Sequence, residues 1–223
     1  MSRATRRGIL ALALVLGAAA AASRADENTR RFMWDEANAR LAAAQRPADY
    51  LVAARVYNAL VRDGVRNGPL FFNLGTALLL AGDGENAAAA LQRAERYSGS
   101  TPGIRANLRL ALAARSGQPD AELPWNRVAF FWHYDLPVRT RVLVALAAWA
   151  LVWLAILARP LAAAPATGGA WARLRAVAGA GLVLAAVLGG VYAASAGVSL
   201  LQERADDRAW PERVFVAAVE HHR

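Results

Sequence analysis

The 223-residue sequence contains no cysteine and no lysine, and only 19% of its residues are charged. Without cysteine the chain can form no disulfide, no thiolate-ligated zinc or iron–sulfur site, no thiol nucleophile and no lipid-modified cysteine anchor. A soluble domain usually has about 25% charged and about 45–50% apolar residues, whereas this chain is 57% hydrophobic. The composition therefore argues against an ordinary soluble globule and against intrinsic disorder.

All 26 basic residues are arginine, against 17 acidic ones, so the formal net charge is +9. The excess lies at the N-terminus and beside the apolar segments, because residues 26–138 hold 13 arginines and 12 acids. A nucleic-acid-binding domain would instead concentrate positive charge on its folded part. We therefore expect no nucleic-acid partner.

Residues 1–25 have the three-part pattern of a secretory signal peptide. Arginines precede an uncharged run over residues 9–22, and the small residues Ser23 and Ala25 form a cleavage site. The run is shorter than the about 20 residues that a spanning helix needs. We predict export with cleavage after Ala25, and cleavage after Ala22 or an uncleaved anchor helix are the alternatives.

Two apolar segments predict transmembrane helices over residues 139–158 and 176–201. Their uncharged runs are long enough to cross a hydrocarbon core of about 30 Å. The loop 159–175 holds three arginines and no acid, so the positive-inside rule places it in the cytoplasm. The region 26–138 and the tail 202–223 are then expected in the periplasm of a two-pass protein of the bacterial inner membrane.

Small residues recur every four positions along the second apolar segment. On a helix such a stripe lets another helix approach closely, and we predict a packing face toward the first span or a partner. Its members are Gly181, Ala185, Gly189, Ala193 and Gly197.

Residues 26–116 predict an all-α stack of helical hairpins. A shift of 34 residues places Asn73 on Asn107 and Ala87 on Ala53, and 34 residues is the period of the tetratricopeptide (TPR) repeat. Turn residues interrupt the pattern where hairpins must bend. The predicted helices are Trp34 to Gln45, Tyr50 to Arg62, Leu70 to Leu80, Glu85 to Tyr97 and Ile104 to Arg115.

Such a stack needs small residues where its helices touch, and it forms a groove that suits a peptide or a partner's helix. The predicted packing residues are Leu74, Gly75, Ala87, Ala94, Ala53 and Tyr57. The candidate groove residues are Asn73, Thr76 and Asn107, with bonding inside the repeat as the alternative for Asn73.

The linker 117–138 is rich in aromatic residues beside the first span, a pattern typical of the membrane interface. We therefore expect this linker to contact lipid, and we expect His133 to have an interfacial or hydrogen-bonding role. The sequence contains no phosphate-binding loop and no catalytic or metal-binding motif. The adjacent carboxylates Asp206 and Asp207 are predicted to face water. We expect no enzyme activity, cofactor or metal.

Taken together, these features resemble the BatE family, the TPR membrane proteins of the Bat aerotolerance operons. The resemblance lies in Tyr57 to Gly64, Phe71-Phe72-Asn73-Leu74-Gly75, Ile104-Arg105 with Asn107-Leu108, Trp125, Phe131-Trp132-His133-Tyr134, and the two spans. It implies a non-enzymatic scaffold, encoded with a MoxR-type ATPase and with membrane proteins that carry von Willebrand factor A domains. The implied setting is a complex linked to stress or oxygen tolerance.

Longer members of that family continue into a small SH3-like β domain, and residues 210–220 resemble its first strand. The leading hypothesis is a scaffold that binds envelope proteins. The alternative is an assembly or transport subunit in which the transmembrane helices are the working part.

Overall fold

A computed structural model describes residues 26–117, 124–158 and 169–220, and for residues 169–176 and 211–220 it describes the backbone alone. The predicted signal peptide lies outside these residues, as does most of the predicted cytoplasmic loop. In the described part the helices are α1 (residues 26–43), α2 (Pro47–Arg62), α3 (Gly68–Leu80), α4 (Gly84–Ser98), α5 (Pro102–Ser116), α6 (Asn126–Ala129), α7 (Phe131–Tyr134), α8 (Val138–Ala158) and α9 (Gly169–Glu220). These ranges contain no strand, which confirms the all-helical prediction for them.

Polar side chains at the predicted turns start three of the helices. Each accepts a hydrogen bond from the free backbone N–H three residues later, which stabilises a helix N-terminus. The bonds join Asn67 Oδ1 to Leu70 N at 2.8 Å, Asp83 Oδ1 to Asn86 N at 3.1 Å, and Thr101 Oγ1 to Ile104 N at 3.3 Å. The turn residues therefore explain why the boundaries of α3, α4 and α5 could be predicted to within about two residues. The predicted start of the first helix at Trp34 is wrong, because α1 already begins at residue 26.

Helices α1 to α5 form one helical domain, called here the repeat domain. Neighbouring helices from α2 to α5 pack on each other, α3 also contacts α5, and apolar residues of all five helices share a core. Gly75 permits a close approach of α3 to α4, because a Cβ added there would lie 2.6 Å from Leu91 Cγ and 3.2 Å from Leu91 N.

Two helices are long and apolar enough to cross a membrane, over Val138–Leu157 and Val177–Trp210. This confirms the two predicted apolar helices. At 1.5 Å per residue, the 21 residues of α8 extend roughly 31 Å, about the thickness of a hydrocarbon core. The two helices pack along each other, and they come close together at Gly189, where an added Cβ would lie 3.0 Å from Ala148 Cβ.

The segment that resembles a β-strand is helical. Helix α9 continues without a break through Glu220, so residues 210–220 form no strand. A lone strand leaves its backbone N–H and C=O groups unpaired, whereas a helix pairs them within itself. The part of α9 beyond the apolar stretch also does not stand free, because it contacts α4 of the repeat domain.

Candidate functional site

Residues 203–210 of α9 meet the repeat domain through a charged and aromatic contact, called here the junction. On α9 its residues are Glu203, Asp206, Asp207 and Trp210, whose spacing of three, four and seven places them on one face of the helix. The repeat domain contributes Asn58, Arg66, Phe71, Arg93, Arg96 and Tyr97.

Three arginines of the repeat domain pair with the three acids of α9. Arg93 contacts Glu203 and lies 2.5 Å from Asp207. Arg96 contacts Asp206 and lies 3.0 Å from Glu203. Arg66 lies 3.0 Å from Asp207. Because charges that share partners in this way form a network, they constrain the relative position of the two elements more than an isolated surface pair does.

Arg93 is fully buried at the centre of the junction. Its guanidinium carbon lies 4.2 Å from the centroid of Phe71 and 5.2 Å from that of Trp210, so aromatic faces replace water around the cation. Its Nε and Nη1 have no hydrogen-bond partner among the described residues. Removing one partner of such a buried ion is costly, because the remaining charge stays buried without compensation.

Aromatic packing completes the junction. Phe71 stacks on Tyr97 with 5.6 Å between centroids and meets Trp210 edge-on at 6.4 Å. The Tyr97 hydroxyl donates a hydrogen bond of 3.1 Å to Glu203. Burial, followed by the negative charge of Glu203, raises the pKa of Tyr97 to about 12.

The sequence pattern did not predict this junction. Asp206 and Asp207 were predicted to face water, but both pair with arginines of the repeat domain. These pairs depend on the tertiary fold and are not visible locally in the sequence, because the arginines precede the acids by more than 100 residues. The signal that could have found the junction is the row of acids and Trp210 on one face of α9, just beyond an apolar stretch.

A second polar cluster joins α7, α8 and α9 around Arg141, which is buried. Arg141 Nη1 donates to the carbonyl oxygen and Oγ of Ser195, each at 2.8 Å, and Nη2 donates to Ser199 Oγ at 2.9 Å. Nε donates to the carbonyl oxygen of Leu136 at 3.2 Å. Neutral oxygens therefore take the place of a carboxylate around this cation.

His133 also belongs to this cluster, in agreement with the hydrogen-bonding role expected for it. Its Nδ1 lies 3.0 Å from Arg141 Nη1 and 2.8 Å from Ser195 Oγ. Burial, and then the positive charge of Arg141, lower the pKa of His133. The imidazole is therefore neutral near pH 7, and its Nδ1 can accept a hydrogen bond from Arg141.

The predicted groove residues Asn73, Thr76 and Asn107 lie together on α3 and α5. With Asn38 of α1 they form a half-buried line, called here the polar row. Asn73 Nδ2 donates to Asn38 Oδ1 at 3.1 Å, and Asn107 Nδ2 donates to Thr76 Oγ1 at 2.9 Å. The row therefore connects the first helices of successive hairpins.

Two further sets of predicted residues remain, the packing residues of the repeat domain and the small-residue stripe of α9. The six packing residues, Leu74, Gly75, Ala87, Ala94, Ala53 and Tyr57, are all buried in the repeat domain.

Of the small-residue stripe, Gly189 contacts α8, Ala185 is half-buried, and Ala193 is exposed. Side chains added at Gly181 or Gly197 would meet nothing within 4 Å. A four-residue step turns a helix by about 40° beyond a full circle, so the stripe winds away from a straight neighbour.

Within the described ranges, no group of three His, Asp or Glu side chains could hold a metal ion. Compared with known protein families the chain matches none, and comparisons with curated proteins and with solved structures also found no match.

Proposed function

We propose that the chain is a non-enzymatic, membrane-anchored scaffold whose TPR-like repeat domain binds another protein of the bacterial envelope. Helices α8 and α9 are its two membrane spans, and the repeat domain lies on the periplasmic side after signal cleavage. This orientation is supported by the signal-like N-terminus and by the arginines of the loop 159–175.

The junction is the observation that carries the proposal. A flexible tether would need only a linker between the repeats and the membrane. Here Arg66, Arg93 and Arg96 instead fix the repeat domain to the extension of a spanning helix. Rigid attachment of this kind serves a domain that must present one surface in a defined orientation.

The surface presented for binding is the side of the repeat domain that carries the polar row. Leu80 and Leu110 lie on the same helix faces as Thr76 and Asn107, and both are exposed. Exposed leucines beside side-chain amides suit an extended peptide or an amphipathic helix. The resemblance to the BatE family supplies the partner class, which is a membrane protein with a von Willebrand factor A domain in a Bat/MoxR-type complex.

Site-specific photocrosslinking in intact cells tests this function. A crosslinking residue at Leu80 or Leu110 is expected to capture a von Willebrand factor A-domain protein, and Asn107→Ala is expected to reduce that capture without changing the helix content. The control position is Val52, which is exposed on α2. Equal capture from Val52, or no capture from Leu80 and Leu110, would count against the proposal.

The alternative of a transport subunit has less support. Between α8 and α9, the described residues place one buried ionisable side chain, Arg141, and its hydrogen bonds are made within the protein. A substrate path usually needs ionisable or polar groups deeper in the membrane.

A further inference from the structure

A cleft of about 420 Å³ lies between the repeat domain, α6, α7 and α9. This volume is in the range of about 300–1,000 Å³ that is usual for small-molecule sites. The geometry points to a binding site for the headgroup of an anionic phospholipid of the periplasmic leaflet, such as phosphatidylglycerol. This inference rests on the proposed placement of α8 and α9 in a bilayer, but not on any protein partner.

The cleft lies at the depth of lipid headgroups. Its wall includes Gln202 and Asp206, three and seven residues beyond Ser199, which is still bonded to Arg141 of α8. At 1.5 Å per residue these positions are roughly 5 and 10 Å farther along α9. The headgroup layer on each side of a hydrocarbon core is about 5–8 Å thick.

The polar side chains of the wall that make no ion pair can donate hydrogen bonds to a ligand. The two acids of the wall are already paired, Glu95 with Arg127 and Asp206 with Arg96. Arg115 is exposed and makes no ion pair with any described residue. The wall can therefore offer Arg115 and the side-chain amides of Gln92 and Gln202 to a phosphate, which only accepts hydrogen bonds.

One group of the wall can accept a hydrogen bond from the occupant once its side chain turns toward the cleft. Asn126 Oδ1 is buried and accepts no hydrogen bond from the described part of the chain. The glycerol hydroxyls of phosphatidylglycerol can donate to it, whereas the quaternary ammonium of phosphatidylcholine cannot. The combination of phosphate-binding donors with one free acceptor therefore favours a hydroxylated anionic headgroup.

Apolar side chains beside the cleft can hold the rest of the lipid. Trp125, Val128, Phe130 and Phe131 are exposed on the short helices α6 and α7 and the residues next to them. They lie just before α8, and aromatic side chains are favoured at this level of a bilayer. The lipid's acyl chains would then continue along the exposed apolar face of α8.

Lipid binding to the purified full chain in a mild detergent tests the inference by native mass spectrometry. Phosphatidylglycerol is expected to bind more tightly than phosphatidylcholine. Arg115→Gln is expected to weaken phosphatidylglycerol binding about tenfold, as the loss of one charge-assisted hydrogen bond does. Gln202→Glu, an exposed change that places a negative charge in the cleft, should weaken it in the same direction.

The matched control is Arg109→Gln, which removes an exposed arginine from the same helix outside the cleft. It is expected to change the affinity by less than about twofold. Equal binding of the two lipids, or equal effects of Arg109→Gln and Arg115→Gln, would overturn the inference. If glycerol 1-phosphate binds with the same dependence on Arg115 and no lipid is retained, the cleft binds a soluble phosphate ester and the lipid assignment is wrong.

Discussion

The indole Nε1 of Trp210 donates a hydrogen bond of 2.7 Å to Oδ1 of Asn58, across 152 residues of sequence. Both side chains are almost fully buried, at 4% and 1% exposure. A buried indole N–H usually has a partner, and a buried acceptor left without one costs about 1–3 kcal/mol. Trp210 of α9 is therefore part of the core of the repeat domain rather than a surface attachment.

Replacing Trp210 by alanine should destabilise the repeat domain. The change removes a buried aromatic side chain together with its hydrogen bond, so we expect a loss of about 3–5 kcal/mol in the free energy of unfolding. Denaturant unfolding of the full chain in detergent, followed by far-ultraviolet circular dichroism, measures it. Trp125→Ala, at an exposed tryptophan, is expected to change stability by less than about 0.5 kcal/mol. If Trp210→Ala loses as little stability as is expected for Trp125→Ala, Trp210 does not belong to the core.

Two glycine substitutions in the repeat domain should act in opposite directions. In Gly75→Ala the new methyl group meets Leu91, including its backbone nitrogen, so we expect about 1–3 kcal/mol of destabilisation. In Gly103→Ala the nearest atom is 3.6 Å away on Phe72, so the higher helix propensity of alanine should add about 0.5–1 kcal/mol. Thermal unfolding distinguishes the two results, and a rise in the melting temperature of Gly75→Ala would contradict the close packing of α3 on α4.

The contact between the apolar helices should depend on Gly189 and not on its neighbour. Leucine at position 189 would collide with Ala148, whereas position 190 opens to free space. We expect Gly189→Leu to lower the stability of the α8–α9 pair by about 1–3 kcal/mol relative to Gly190→Leu. Thermal unfolding of both variants in the same detergent measures the difference. Equal stability would mean that the helices do not pack at Gly189.

Stability should fall at mildly acidic pH because of His133. Its pKa is lowered in the folded chain from the ordinary value of 6.5 by burial and by Arg141, so the unfolded chain takes up the proton first. The stability that neutral His133 contributes to the folded chain is fully present above pH 6.5, the ordinary pKa of histidine. It is lost as the pH falls through the lower pKa of His133 in the folded chain.

His133→Asn keeps an acceptor for Arg141 but cannot titrate. It should therefore show a smaller loss of melting temperature than the native chain between about pH 7.5 and about pH 5.5. If both chains lose the same amount, His133 does not cause the pH dependence.

Much of the helical architecture could be predicted because its signals are local. Asn67, Asp83 and Thr101 are turn residues in the sequence and helix caps in the structure. The uncharged stretches within α8 and α9 are likewise long enough to be recognised by composition alone. Capping and hydropathy act over a few residues or along one segment, so a single sequence reveals them.

The junction could not be predicted, because its energy comes from partners far apart in the chain. Arg93 and Glu203 each lie in a polar stretch and look like solvent-facing charges until α9 is placed against α4. Arg141 is a similar case: its position beside an apolar run suggested a membrane flank, but Ser195 and Ser199 bury it. Charges compensated by tertiary contacts give no periodic signal of their own.

The continuity of α9 has a mechanical consequence. Its 52 residues make a rod roughly 78 Å long at 1.5 Å per residue. In the membrane placement proposed above, this rod is anchored in the bilayer at one end and held by Arg93 and Trp210 near the other. Twisting this rod about its axis inside the membrane turns the repeat domain through the same angle. Tilting it displaces the domain sideways, so the protein can act as a lever between a neighbour in the lipid and a neighbour above it.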